Sequence, residues 1–291
     1  MDGLISKMIA RMHFEKEGVI AEYFPVNYNH QPPDLSDFEE IYILDFSYPK
    51  SILRKWVDEG KKLVVLDHHK TAAEELAGET YAVFDMEKSG AGLTWDYFHP
   101  GEPMPDLVSY VQDRDLWKFE RKMSKPIHAG ILACMGLAEK PDDERILEPY
   151  LLDASGLSMT GEGALAFQQA AIRKYVEGKR YQVRGMTLDG QYYRVAFTNM
   201  IPELTSDLCN QMLVANRGEF EFAIAFIIVA EKALLSIRSE GENDGTVLAR
   251  SLAASFGNGG GGGHRNASGC SVSSTWLVGM LSAKEGRIDQ K

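Results

Sequence analysis

Short apolar segments that alternate with helical patterns most constrain what this 291-residue chain can fold into. The segments Glu40 to Phe46 and Leu63 to Leu66 have the composition of strands, and Ser51 to Glu59 between them has helical spacing. Strands joined by a helix of this length indicate parallel pairing through right-handed crossovers. We therefore predict an α/β fold with a parallel sheet in the first half of the chain.

The first residues carry the same two kinds of pattern. Leu4 to Phe14 has the apolar spacing of a helix, and Val19 to Val26 is rich in the β-branched and aromatic residues that favour strands. We therefore expect a helix and then a strand ahead of the strand at Glu40.

The second half of the chain has its own pattern. The stretch from Glu139 to Thr160 is rich in Pro, Asp, Glu and Gly, which indicates a domain boundary, and Gly161 to Lys179 is a helical run that would bridge two domains. We predict a catalytic domain at 1–150, a helical linker at 151–182 and a smaller α/β or α+β domain at 183–291. Its predicted elements are a hairpin at Met186–Thr198, helices at Pro202–Ala215 and Thr246–Phe256, and strands at Glu221–Val229 and Lys232–Ser236.

Composition limits the classes of function. A hydrophobic content of 44% is enough for two packed domains, and a net charge of -11 argues against a surface for long duplex nucleic acid. The longest apolar run, Phe222 to Ala230, is too short to span a membrane, so we expect a soluble protein without membrane contact. Cys134, Cys209 and Cys270 show no paired spacing, which favours a reducing, cytoplasmic location.

Acidic and imidazole side chains follow the predicted strands. Asp67-His68-His69 directly follows Leu63 to Leu66, and Asp45 ends the preceding strand. Parallel strand ends lie about 5 Å apart, so these groups meet if the two strands pair. Carboxylate and imidazole together suit manganese, iron or zinc better than calcium. Asp2 and Asp113 are further candidates, although each taken alone is typical of a helix cap or a turn.

A run of glycines, Gly259 to Gly263, ends in His264. Five residues without Cβ atoms let backbone N–H groups approach an anion closely, which favours phosphate binding. The alternative is a flexible linker, but such linkers are usually rich in Ser and rarely lead into His-Arg.

The two motifs together resemble a known family. Asp67-His68-His69, followed about a domain later by the glycine-rich segment His264 to Gly269, resembles the DHH phosphoesterase superfamily with its DHH-associated C-terminal domain. The extended forms Leu66 to Ala72 and Asp113 to Trp117 look most like the oligoribonuclease, or nano-RNase, branch. The resemblance covers nearly the whole chain.

The resemblance implies a catalytic centre. It assigns one metal to Asp2, Asp45, His68 and Asp113, with Asp67 and His69 orienting the ligand imidazole or meeting the scissile phosphate, so that Asp67, His68 and His69 are the catalytic residues. Asp115 competes with Asp113, which is preferred for its spacing to Trp117. The implied cofactor is Mn²⁺ in a two-metal site, with Mg²⁺, Co²⁺ or Fe²⁺ as alternatives.

The chain departs from the family's first motif, which reads approximately His-x-Asp-x-Asp-Gly. Here only Met1-Asp2-Gly3 remains, so the residues that hold the other metal together with Asp45 are missing. We expect that the recorded start lies inside a longer protein; the alternative is an incomplete dinuclear site.

The resemblance also implies the substrate. Arg238 precedes the glycine run on a strand like the one that presents an arginine to substrate in the family, although a surface salt bridge is the alternative role. The substrate-binding residues would be Arg238, Gly261, Gly262, Gly263, His264 and, with weaker support, Arg265.

The implied activity is hydrolysis of short RNA to nucleoside 5′-monophosphates. A phosphodiesterase for cyclic or linear dinucleotides, a phosphatase for 3′-phosphoadenosine 5′-phosphate, and a nucleotide-binding module impaired in catalysis are the alternatives. The expected partners are short RNA or a dinucleotide, with no long duplex nucleic acid, and a homodimer is left open.

Overall fold

A computed structural model describes residues 1–26, 31–137, 143–257 and 260–282 of the chain. The chain divides into two compact units, Met1–Ala166 and Phe167–Lys291. No helix in the described ranges is both long enough and apolar enough to cross a membrane.

Unit 1 contains a three-stranded parallel sheet in the order β1-β2-β3. The predicted strand, helix and strand between residues 40 and 67 are all present, and the predicted α/β class is confirmed. The elements are α1 Asp2–Lys16, β1 Glu40–Leu44, α2 Lys50–Asp58, β2 Lys62–Asp67, α3 Lys70–Glu75, β3 Ala82–Phe84, α4 Gly90–Phe98, α5 Asp106–Asp115, α6 Ser124–Leu137, a 3₁₀ helix at Glu144–Tyr150, and α7 Ser155–Glu177, which continues into unit 2.

The register of the sheet fixes the position of the acidic groups. Leu44 of β1 lies opposite Leu66 of β2, so Asp45 and Asp67 leave the sheet at the same edge. The N–H of Asp45 still donates to the carbonyl of Leu66, over 2.8 Å. Apolar side chains that alternate along the strands, such as Ile41, Ile43 and Val65, are buried in the core of the unit and hold this edge in place.

The strand predicted over Val19 to Val26 is wrong. These residues belong to no sheet of the described chain, although Phe24 packs edge-on against Phe38 with ring centroids 5.8 Å apart. Ile20 is almost fully exposed. Strand propensity measures how well a residue fits a half-buried pleated surface, and without a neighbouring strand it does not create one.

Unit 2 is a six-stranded mixed sheet in the order β4-β5-β6-β7-β9-β8, with α8 against one face and α9 and α10 against the other. The predicted Asp189-Gly190 hairpin is confirmed, since both residues adopt the positive φ of 50° and 78° that a tight two-residue turn requires. The elements are β4 Gln182–Leu188, β5 Gln191–Asn199, α8 Pro202–Ala215, β6 Phe222–Val229, β7 Lys232–Ser239, α9 Gly245–Phe256, β8 Gly262–His264, β9 Ala267–Ser273 and α10 Ser274–Ser282.

A buried ion network anchors α1, the helix whose first residue is Asp2. Arg11 donates through Nε to Glu144 Oε1 over 2.8 Å, and Lys7 Nζ lies 2.5 Å from Glu144 Oε2. Burial raises the pKa of Glu144, but hydrogen bonds from Lys7 and Arg11 outweigh it and leave the pKa below its usual value. The network therefore ties the 3₁₀ helix to α1.

We predict that Glu144→Gln lowers the free energy of unfolding by about 3 kcal/mol at neutral pH, because it leaves the buried Arg11 without its main counter-charge. Since the pKa of Glu144 is lowered on folding, this contribution is present above the ordinary carboxyl pKa and is lost as the pH falls through the folded value. Urea unfolding at several pH values measures it.

Glu15→Gln is the matched control. Glu15 also pairs with Arg11, but its side chain is 56% exposed, so its loss costs about 1 kcal/mol or less. Equal losses in the two variants would contradict the structural role of Glu144.

Candidate metal centre

Three carboxylates converge on one imidazole nitrogen at the carboxyl edge of the parallel sheet. His68 Nε2 lies 3.2 Å from Asp45 Oδ1, 3.4 Å from Asp115 Oδ2 and 3.8 Å from Asp2 Oδ2. We call Asp2, Asp45, His68 and Asp115 the His68 cluster. Asp2 and His68 are buried, whereas the Asp115 side chain is 33% exposed and forms the open side of the cluster.

The negative charge of the cluster favours binding of a cation. Burial and repulsion from Asp45 and Asp115 raise the pKa of Asp2 well above its usual value, and partial desolvation together with repulsion from Asp45 raises the pKa of Asp115. Burial lowers the pKa of His68, but the surrounding carboxylates outweigh it and bring the pKa to about 9. The negative charge in the cluster thus exceeds what one imidazolium neutralises.

Two carboxylate oxygens in the cluster make the fit to a metal specific. Asp2 Oδ2 and Asp45 Oδ1 are buried, and apart from the approach of His68 Nε2 neither has a hydrogen-bond partner within the described part of the chain. A buried carboxylate oxygen without a donor is costly unless a cation compensates it. The residues present therefore fit a divalent metal with mixed nitrogen and oxygen ligands, the class that includes manganese, iron and zinc.

Asp67 supports the cluster from behind. It is fully buried, its Oδ2 accepts from Ser47 Oγ over 2.7 Å, and its Oδ1 lies 2.6 Å from His69 Nδ1 and accepts the N–H of His68. Burial raises the pKa of Asp67, but hydrogen bonds from His69 and Ser47 outweigh it and keep the pKa below its usual value. Both oxygens are thus engaged by donors, an arrangement that suits orienting His68 and His69.

A second group of ligand atoms adjoins the first. Asp45, Asp67 and His69 offer atoms within 4.8 Å of one another, as do Asp2, His68 and Asp115. Asp45 therefore lies between two sets of possible ligands. The sequence pattern did not predict a role for Ser47. Its position two residues after Asp45, just beyond the end of β1, is the feature of the sequence that could have indicated one.

The geometry favours Asp115 over Asp113 as the residue beside His68. Asp113 is buried and accepts the backbone N–H groups of Glu120 and Arg121, over 2.9 and 3.2 Å, and the hydroxyl of Ser124. Its carboxylate oxygens are thus engaged by the loop that follows α5 and by α6. Asp115, two residues on, reaches His68 because residues two apart on a helix face different directions.

Asp45 is held in an unusual backbone conformation. Its φ is +55°, which costs free energy in a non-glycine residue, and the chain packs so closely there that a Cβ on Gly90 would lie 2.4 Å from Asp45 Cβ. Ser89 caps α4, and the N–H of Ala91 donates to Asp2 Oδ1 over 3.1 Å. The Ser89-Gly90-Ala91 turn thus positions Asp2 and Asp45.

In unit 2, the predicted substrate residues meet across β9. Arg238 on β7 and His264 on β8 are both register partners of Ala267, and Gly262 pairs with Gly269. The Arg238 guanidinium donates to Ser206 Oγ on α8 over 2.7 Å. Arg238 and His264 therefore flank a strip of small residues on one face of the sheet.

The glycine run is more ordered than a loop that wraps an anion. Gly262 and Gly263 form the outer strand β8, and a Cβ on Gly261 would lie 2.3 Å from the carbonyl oxygen of Ala249 in α9. These glycines are thus required by packing and strand pairing, while Gly259 lies outside the described residues. Arg265 pairs with the exposed Glu242 over 3.1 Å, which agrees with its weaker sequence support.

The sequence and the fold were compared with those of known proteins. No family model matches the sequence. An uncharacterized protein, R106, from Acanthamoeba polyphaga mimivirus is 30% identical over 243 residues, which cover 81% of this chain and 53% of that protein. RecJ from Thermus thermophilus, solved with Mn²⁺, superposes with a TM-score of 0.56 at 16% identity over 99% of this chain and 52% of RecJ. The chain shares the fold of RecJ.

A further solved structure is more distant. The pGpG-specific phosphodiesterase PggH from Vibrio cholerae aligns over 95% of this chain and 92% of its own, with a TM-score of 0.47 and 13% identity. The chain spans about half the length of both the mimivirus protein and RecJ.

We predict that Asp115→Asn impairs metal binding, whereas Asp113→Asn impairs the stability of the fold. Asp115→Asn should weaken Mn²⁺ binding by at least about tenfold without lowering the melting temperature, because it removes a ligand and relieves repulsion. Asp113→Asn should lower the free energy of unfolding by about 1–3 kcal/mol through lost hydrogen bonds. Calorimetric titration with Mn²⁺ and thermal unfolding separate the two, and a larger metal-binding defect in Asp113→Asn would reinstate Asp113 as the ligand.

Proposed function

We propose that the chain is a metal-dependent phosphodiesterase of the DHH phosphoesterase superfamily that hydrolyses short oligoribonucleotides to nucleoside 5′-monophosphates. The observation that carries the proposal is the convergence of Asp2, Asp45 and Asp115 on His68 Nε2, with two buried carboxylate oxygens for which His68 is the one hydrogen-bonding neighbour in the described part of the chain. The fold shared with RecJ, a structure solved with Mn²⁺, supports it.

The four residues of the His68 cluster would hold the metal, with Mn²⁺ as the proposed ion. When bound, the metal would supply Lewis-acid stabilisation of the charge that develops on the phosphoryl oxygens. Asp45, between the two groups of ligand atoms, is the residue best suited to bridge to a second ion. Asp67 holds the ring of His69 through Nδ1, so Nε2 would be the nitrogen left to meet the substrate.

Unit 2 would bind a nucleotide through the residues that flank Ala267. Arg238 offers a guanidinium for a phosphate, and His264 lies across Ala267 from it in the register. Gly262 and Gly269, which pair across β8 and β9, carry no side chains beside these two residues. One guanidinium and one imidazole, on a chain of net charge -11, suit an oligomer of a few nucleotides better than a long polymer.

We predict that the protein with Mn²⁺ hydrolyses a 5′-labelled RNA dinucleotide and five-mer faster than a 24-mer. Asp45→Asn should reduce hydrolysis by at least about 100-fold, because asparagine tolerates the left-handed backbone at this position but removes the charge. Gel analysis of the labelled products measures both effects.

Asp58→Asn, an exposed aspartate at the end of α2, is the control and should keep full activity. Preference for the 24-mer would contradict the short-substrate assignment, and activity unchanged in Asp45→Asn would reject the metal assignment. Nucleotide binding without any hydrolysis would support the binding-module alternative.

A further inference from the structure

The segment from Arg114 to Lys125 combines positive charge with aromatic rings directly beside the His68 cluster. We call residues 114–125 the aromatic-basic segment. It carries five basic and two acidic side chains on a chain whose net charge is -11, and two aromatic residues lie among them. The basic residues are Arg114, Lys118, Arg121, Lys122 and Lys125, and the aromatic residues are Trp117 and Phe119.

The two aromatic residues are held in strained backbone conformations. Trp117 has a φ of +57° and Phe119 a φ of +51°, and bulky side chains rarely adopt this left-handed region. The strain is sustained by Asp113, whose carboxylate accepts two backbone N–H groups later in the loop and whose carbonyl accepts that of Lys118. Strain of this kind concentrates at functional sites.

The rings form a platform supported by cations. The Arg114 guanidinium lies 4.2 Å from the ring centroid of Trp117, and Lys125 Nζ lies 4.4 Å from that of Phe119. The two rings meet edge-on with centroids 4.9 Å apart. Both remain half-buried, unlike the core residue Trp56, which is 7% exposed.

The platform lies within one nucleotide of the His68 cluster. Asp115 touches His68, and Trp117 is only two residues further along, so their Cα atoms are at most about 7.6 Å apart. Lys122 and Lys125 are exposed and make no ion pair with a carboxylate in the described part of the chain. Aromatic rings for stacking and cations for phosphates are the elements of single-strand binding surfaces.

We propose that Trp117, backed by Arg114, stacks on the nucleobase next to the phosphate held at the His68 cluster, while Lys122 and Lys125 meet flanking phosphates. The substrate class of the site is then a single-stranded nucleotide chain, and inorganic polyphosphate, which has no base, is not recognised by this platform. The inference rests on the proposed function of the His68 cluster.

The experiment measures binding without turnover. In the protein with Mn²⁺, the dissociation constants of fluorescently labelled pApApA with hydrolysis-resistant phosphorothioate linkages and of an abasic trimer with the same linkages and charge are measured by anisotropy. Trp117→Leu should weaken pApApA binding by about tenfold and leave the abasic trimer unchanged, because only stacking is removed. Trp117→Phe, which keeps a ring, should retain most of the affinity. Tyr97→Leu, a half-exposed aromatic residue on α4, should change neither constant.

The two proposals can fail separately. If Trp117→Leu weakens both ligands equally or neither, or if pApApA binds no better than the abasic trimer, the stacking role is rejected even where the wild-type protein hydrolyses RNA. If base-dependent binding is lost in Trp117→Leu but the wild-type protein with Mn²⁺ hydrolyses no phosphodiester, the stacking role stands and the proposed function is rejected.

Discussion

Mutual repulsion among Asp2, Asp45 and Asp115 around His68 is the constraint on which the rest of unit 1 depends. Like charges at this spacing in a buried site are unfavourable unless protons or a cation neutralise them. The fold nevertheless keeps the carboxylates together: Asp45 retains a left-handed backbone against Gly90, and Asp2 accepts a hydrogen bond at the start of α4. Stability is given up locally to preserve the geometry, as expected of a metal-binding site.

The surrounding elements hold these carboxylates in position. Parallel pairing of β1 and β2 delivers Asp45 and Asp67 to one edge, where ligands of open α/β sheets usually bind. The buried Glu144 pairs with Arg11 of α1, the helix that begins at Asp2. Asp113 holds the loop after α5 in which Trp117 is strained, so that a residue outside the cluster shapes the surface beside it.

Much of this could be predicted from the sequence, for identifiable reasons. Apolar strands followed by Asp45 and Asp67 predicted both the parallel sheet and the closeness of those residues, because the carboxyl ends of paired parallel strands lie at the same edge. Asp113 and Asp115 could not be separated by spacing alone, since the choice depends on which one faces the loop hydrogen bonds. The strand expected at Val19 to Val26 failed because it needed a neighbour that sequence composition does not reveal.

The central claim is that the His68 cluster binds a divalent metal, and anomalous diffraction from crystals soaked in Mn²⁺ tests it most directly. The account predicts an anomalous peak at coordination distance from His68 Nε2 and from carboxylate oxygens of Asp2, Asp45 and Asp115, and loss of that peak in Asp45→Asn crystals. A manganese peak elsewhere on unit 1 with none at His68, or a peak that Asp45→Asn leaves unchanged, would contradict it.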